Sequence, residues 1–242
     1  MVGLVTTRKR DRSGVAAPLD VKTLFASVEA APPVDAAEVV AAALTDSLEA
    51  RDVSFLIADY SGRSLIRLSH VRRMHLAARH PDRVRSLSLH SGWHASDDYL
   101  KIVVEQWRVL ATTLPTVADV VIQGIFPWCF TPEMYAERPE FVETLVSFVR
   151  GRPAQPVDAF LAQTDAVLAH DAGAALGTID TPTLITFGAR DVVCSTRFAE
   201  PLKGGIPASE LVVFEHLSHA GLHEDPETFN RVTLDFLLRQ RS

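Results

Sequence analysis

Two residues near the carboxyl end of the chain have the types and the setting that general-base chemistry needs. Asp191 closes the segment PTLITFGARD, and His219 stands in HLSHAGLHEDPETFN. A compact apolar run precedes each, TLITFG before the acid and ELVVFE before the imidazole. Runs of this length and composition read as strands. In an open parallel sheet, groups just past the carboxyl ends of the strands converge on one crevice. An aspartate after one strand and a histidine after the next can therefore meet by hydrogen bond. The carboxylate would fix the imidazole tautomer and stabilise the imidazolium that forms when the ring takes a proton. That is the geometry of a general base. Plainer readings stand beside it, with Asp191 as a turn or capping residue and His219 as a loop histidine. His216, His219, His223 and Glu224 also offer a set of metal-ligand types, although no other ligand cluster accompanies them. His90 and His94 flank Gly92 after a further strand, facing either a substrate or solvent.

The elements that must position these residues follow from periodicity. VRSLSL (84–89) alternates as a strand and ends at His90-Ser91-Gly92. Three short strands separated by helical segments predict an α/β sheet with parallel crossovers. Residues 97–172 read as helical, broken by Pro115, Pro127, Thr131-Pro132, Pro153 and Pro156. A last helix spans 226–239, with Phe229, Val232, Phe236 and Leu237 inward. Upstream, Leu65, Leu68, Val71 and Met74 recur at helical spacing, although RSLIRLS could instead return as a hairpin strand. VSFLIA (53–58) reads as a strand, followed by the turn residues Asp59-Tyr60-Ser61-Gly62. Two helices, one opening at Asp20 and one over 34–50, precede it. The expected organisation is a flexible tail over 1–18, a helix-helix-strand segment over 19–75, and one larger region over 76–242.

Composition narrows the classes. The 242 residues are 47% hydrophobic and 22% charged, as in ordinary globular proteins. The formal net charge of −6 argues against non-specific binding to nucleic acid. No apolar run reaches the roughly 18 residues of a spanning helix. The opening MVGLVTTRKRDRSG has a basic cluster but no apolar stretch, unlike a secretory leader. Two cysteines, Cys129 and Cys194, make no disulfide framework, so a reducing cytoplasm is the expected location. Nothing calls for a cofactor.

Three segments together resemble the α/β-hydrolase family in its helical-cap form: LAARHPDRVRSLSLHSG (76–92), PTLITFGARD (182–191) and HLSHAGLHEDPETFN (216–230). The resemblance covers the C-terminal two-thirds of the chain. It implies a mostly parallel, incomplete sheet with a helical cap over about 96–172. It also implies Asp191 as the triad acid, His219 as the triad base, and an ester, lactone or related small-molecule acyl substrate. The cap would shape an apolar pocket, with Trp107, Trp128, Phe126, Phe130 and Phe141 as candidate lining or as core.

The family displays its nucleophile on a strained Gly-x-Ser-x-Gly turn between a strand and a helix. No serine, cysteine or aspartate of this chain has glycine both two before and two after. Laying the family's helix on 76–84 puts Arg67 at the nucleophile position. Ser61, after VSFLIA, and Ser69, close in register, are the candidate substitutes. The loop that supplies an oxyanion donor also has no His-Gly counterpart before Val53. Residues 31–70 are similar to the sensor region of bacterial stress-response serine phosphatases, which brings no catalytic residue. Two functions follow as expectations: a serine-type hydrolase, or a catalytically silent binding protein on the same scaffold. An incomplete sheet also exposes an edge that a second copy could cover.

Overall fold

The computed structural model describes residues 4–7, 56–57, 69–82 and 84–240. Its sheet has five strands: β1 (Leu4–Thr7), β2 (Leu56–Ile57), β3 (Val84–His90), β4 (Thr183–Gly188) and β5 (Ser209–Phe214), in the order β2-β1-β3-β4-β5. β3, β4 and β5 are parallel, as their crossovers predict. Their registers align Leu89 with Ile185 and Ile185 with Leu211. β4 is buried along its whole length, as a central strand covered on both faces must be.

The amino-terminal side departs from the sequence expectation. Leu4–Thr7, within the segment read as a tail, pairs antiparallel with β3, Val5 opposite Leu87 and Thr6 opposite Ser86. Its Val and Thr residues suit a pleated strand. β2 is antiparallel to β1, so it runs in the same direction as β3. Of the expected strand 53–58, only Leu56–Ile57 lies within the described residues. The two amino-terminal helices lie outside them, as does nearly all of the 31–70 segment likened to a sensor region.

Helix α1 (Ser69–Arg79) leads into β3. It settles the ambiguous stretch from Ser69 onward in favour of helix. Between β3 and β4 the chain makes a long helical insert. Its principal members are α2 (Asp98–Thr113), α3 (Pro139–Arg150) and α4 (Val157–Leu168), with short turns of helix over 117–137. Asp97 starts α2 by accepting from the Leu100 amide at 2.8 Å. Leu100, Val103, Val104, Trp107 and Ala111 then form its buried stripe at helical spacing. Thr131 caps the turn Pro132–Glu137, and Pro139 opens α3, so the prolines sit at first turns where no amide is lost. After β4, α5 (Ala199–Gly205) returns the chain to β5. α6 (Pro226–Arg239) closes the fold, capped by Asp225, with Phe229 and Phe236 buried.

Candidate active site

The parallel register decides which loops meet. Gly188 lies opposite Phe214, so β4 and β5 end level. The chain after each tip therefore leaves from the same edge, and the loop after β5 folds back across the end of β4. A Cβ added to Gly188 would lie 2.2 Å from the Leu217 carbonyl oxygen and 2.4 Å from that of Ser218. Only glycine allows so close a crossing. The Arg190 amide donates to the same Leu217 carbonyl at 3.0 Å.

This crossing brings Asp191 and His219 together. His219 Nδ1 stands 2.8 Å from Asp191 Oδ2. Asp191 Oδ1 accepts from the amides of Val193 at 2.8 Å and Cys194 at 2.9 Å. The carboxylate is thus an acceptor at both oxygens and its side chain is fully enclosed. A carboxylate acceptor fixes the imidazole proton on Nδ1 and leaves the lone pair on Nε2. The His219 side chain keeps 10% of its surface exposed. Asp191 is both the turn residue of the plainer reading and the partner of the imidazole.

Ser91 follows β3 on the other side of this site. It has φ of +50°, the sole non-glycine residue with positive φ among the described residues. Its hydroxyl donates to the His219 carbonyl at 3.3 Å. Sequence reasoning passed over Ser91; the signal available was its place in His-Ser-Gly at a strand end. A hollow of about 10 Å³ between Ser91, His90, Gly188, Phe214, Ser218 and His219 has room for one water rather than a substrate.

The four residues offered as metal ligands do not converge. His216 pairs with Asp225 at 3.2 Å, and His219 with Asp191. His223 is held below its ordinary pKa, at about 4, by burial first and by the Arg138 charge, and its ring lies against Phe130 and Phe141. Glu224 accepts from two backbone amides, those of Thr131 and Ser218. No group of three or more metal-ligating side chains occurs among the described residues. His90 is buried at the end of β3, its Nδ1 2.7 Å from Thr186 Oγ1, and does not face solvent. Trp107 and Trp128 join the main core, and Phe126, Phe130 and Phe141 form a second cluster with Met134 and Val142. These aromatics are core packing, the alternative to a lined pocket. Ser69 is the first residue of α1, not an interior one, and Ser61 and Arg67 lie outside the described residues.

Comparison with known proteins bears on the fold. No family model matches the chain. A crystal structure titled an alpha/beta hydrolase enzyme from a deep-sea metagenome library superposes with a TM-score of 0.61, covering 69% of this chain and 60% of that one at 23% identity. The fold is that of the α/β-hydrolases. The enol-lactonase of Burkholderia xenovorans shares this α/β-hydrolase fold with a TM-score of 0.62, over 72% of this chain and 64% of its own, at 20% identity. Among curated proteins, the chain is 29% identical over 189 residues to a pimeloyl-(acyl-carrier protein) methyl ester esterase of Neisseria meningitidis, 68% of this chain and 64% of that one. It is 29% identical over 170 residues to RutD of Azorhizobium caulinodans, a carbamate hydrolase by name, 67% of this chain and 60% of that one. The chain thus spans about three fifths of the length of the curated relatives it matches. No described helix is long and apolar enough to cross a membrane.

Proposed function

We propose that this protein hydrolyses an ester, lactone or related acyl substrate by serine-type chemistry, with His219 as general base and Asp191 as the acid that orients it. The observation that carries this reading is the 2.8 Å contact between His219 Nδ1 and an enclosed carboxylate already held by two amides. A serine oxygen attacks the acyl carbon as His219 Nε2 takes its proton. The protonated ring then gives that proton to the leaving oxygen, and water repeats the sequence on the acyl-enzyme. The names of the esterase, the lactonase and the carbamate hydrolase support an acyl carbon bearing a heteroatom leaving group.

Ser61 and Ser69 are the nucleophile candidates. The direction of β2 favours Ser61, because β2 runs with β3 and so ends at Ile57 on the edge where β4 and β5 release Asp191 and His219. A small-molecule substrate is the partner this reading requires, and self-association through a sheet edge is part of the proposal. A single-species monomer in sedimentation would remove that part alone.

A second reading, a silent binding protein, is favoured by a different observation. The strand beside β3 is the antiparallel β1, whose chain leaves at the far edge. Hydrolysis of p-nitrophenyl acetate separates the two readings. Turnover that falls by at least ~10⁴-fold in His219→Ala supports the enzyme; turnover that is the same in both proteins, or absent from the folded protein, supports the silent scaffold.

A further inference from the structure

One side chain of the loop that carries His219 reaches both that loop's own backbone and the helical insert. Glu224 Oε2 accepts from the Ser218 amide at 2.6 Å, and Oε1 accepts from the Thr131 amide at 2.7 Å. Ser218 is the residue immediately before His219, and Thr131 opens a turn of the insert. We propose that Glu224 is a positioning residue that makes the seat of the His219 imidazole depend on the docked insert. This inference rests on reading Asp191 and His219 as a working pair.

The two bonds are short and charge-assisted, the stronger class of hydrogen bond. A carboxylate can accept at both oxygens at once, which no other side chain of similar reach does. The surrounding contacts point the same way. The Ala220 amide, directly after His219, donates to the Cys129 carbonyl of the insert at 2.9 Å. Arg138 of the insert donates from Nη1 to the His223 and Glu224 carbonyls at 3.0 and 3.1 Å. Ala220 packs into the insert's Phe130–Met134–Val142 cluster. The acid's loop is tied to the same stretch, since Arg190 meets Glu133 at 2.7 Å. Residues 129–138 of the insert therefore touch both catalytic loops, and Glu224 joins the residue beside His219 to them.

The test uses full-length protein with ¹⁵N-labelled histidine and backbone amides. In wild type, the His219 signals report one tautomer, protonated on Nδ1, and Asp191→Asn alters them. Glu224→Ala should mix the tautomers and speed amide exchange at Ser218 and Thr131 by at least about tenfold, leaving Leu184 and Ile185 in β4 unchanged. Glu224→Gln keeps one acceptor oxygen, and should loosen one of the two amides and shift His219 partway. Thr131→Pro removes only the insert's side of the link beyond what Thr131→Ala removes. The φ of −71° at Thr131 accepts proline, and Thr131→Ala controls for the lost cap. Thr131→Pro should disturb the His219 tautomer where Thr131→Ala does not. A His219 signal that depends on Asp191 but not on Glu224 or the Thr131 amide overturns the positioning role alone. A His219 signal indifferent to Asp191→Asn overturns the pair and the positioning role together.

Discussion

The backbone of Leu217 crosses directly over Gly188, with room for a hydrogen and none for a methyl group. A built Cβ would stand 2.2 Å from the Leu217 oxygen. Two strand tips that end level would otherwise keep their loops apart. This crossing lets the chain after β5 turn back and set His219 against Asp191.

Gly188→Ala should therefore separate the two residues. Forcing an extra carbon into a packed site costs typically about 1–3 kcal/mol. The expected outcome is a lower urea midpoint together with loss of the single His219 tautomer. A variant of wild-type stability with an unaltered imidazole signal would show that the crossing is looser than described.

Asp191→Asn tests the orientation of the base. The two amides of Val193 and Cys194 will hold the carboxamide oxygen, which turns its NH₂ toward His219. The ring must then offer Nδ1 as an acceptor and carry its proton on Nε2, the wrong tautomer for a base. In serine-protease triads the same exchange lowers kcat about 10⁴-fold. A comparable loss of ester turnover is expected here, with little change in KM. A loss below tenfold would mean that Asp191 only shapes its turn.

Much of this arrangement is legible in the sequence, for a physical reason. Central parallel strands are buried on both faces, so TLITFG announces itself as an apolar run, while VRSLSL is marked by its alternation. The final helix is bracketed by Asp225 as cap and Pro226 at its first position. Asp191 and His219 are found because strand tips converge. What stays hidden depends on contacts between distant segments. Nothing local marks Gly188 as a crossing point or Ser91 as a residue with positive φ. Glu224 looks like one more exposed acid of a helix start, yet its partners are Thr131 and Ser218. The pairing of Leu4–Thr7 with β3 is likewise non-local, and a basic neighbourhood disguised it as tail. The four candidate metal ligands cluster in sequence but not in space, because His216 and His219 are each drawn to a different carboxylate, Asp225 and Asp191, and Glu224 to two backbone amides.

Acid stability follows from His223. Burial above all, with the Arg138 charge adding to it, lowers its pKa from 6.5 to about 4 in the folded protein. The unfolded chain then binds a proton that the folded state refuses. Its contribution is fully present above pH 6.5 and is lost as pH falls from there toward 4, by up to about 3 kcal/mol. His223→Phe, which fits the neighbouring Phe130 and Phe141, should flatten urea-unfolding free energy across that window. An equally steep decline in the variant would assign the acid sensitivity elsewhere.

The two thiols are expected to be inert. Burial first, and then the Asp191 carboxylate, push Cys129 up to about 12 and Cys194 well above its ordinary value. The reactive species is the thiolate, which is scarce at pH 8 for both. Iodoacetamide should label neither residue in the folded protein and both in urea. Rapid labelling of native Cys129 would reopen the question of which atom attacks the acyl carbon.

The proposed hydrolysis stands or falls on whether the Asp191–His219 pair activates a serine of this chain. A fluorophosphonate probe, with the adduct mapped by mass spectrometry, tests it most directly. The expected result is a single adduct on Ser61 or Ser69 that disappears in His219→Ala. A folded protein that carries no adduct, or one whose adduct survives the loss of His219, would contradict it.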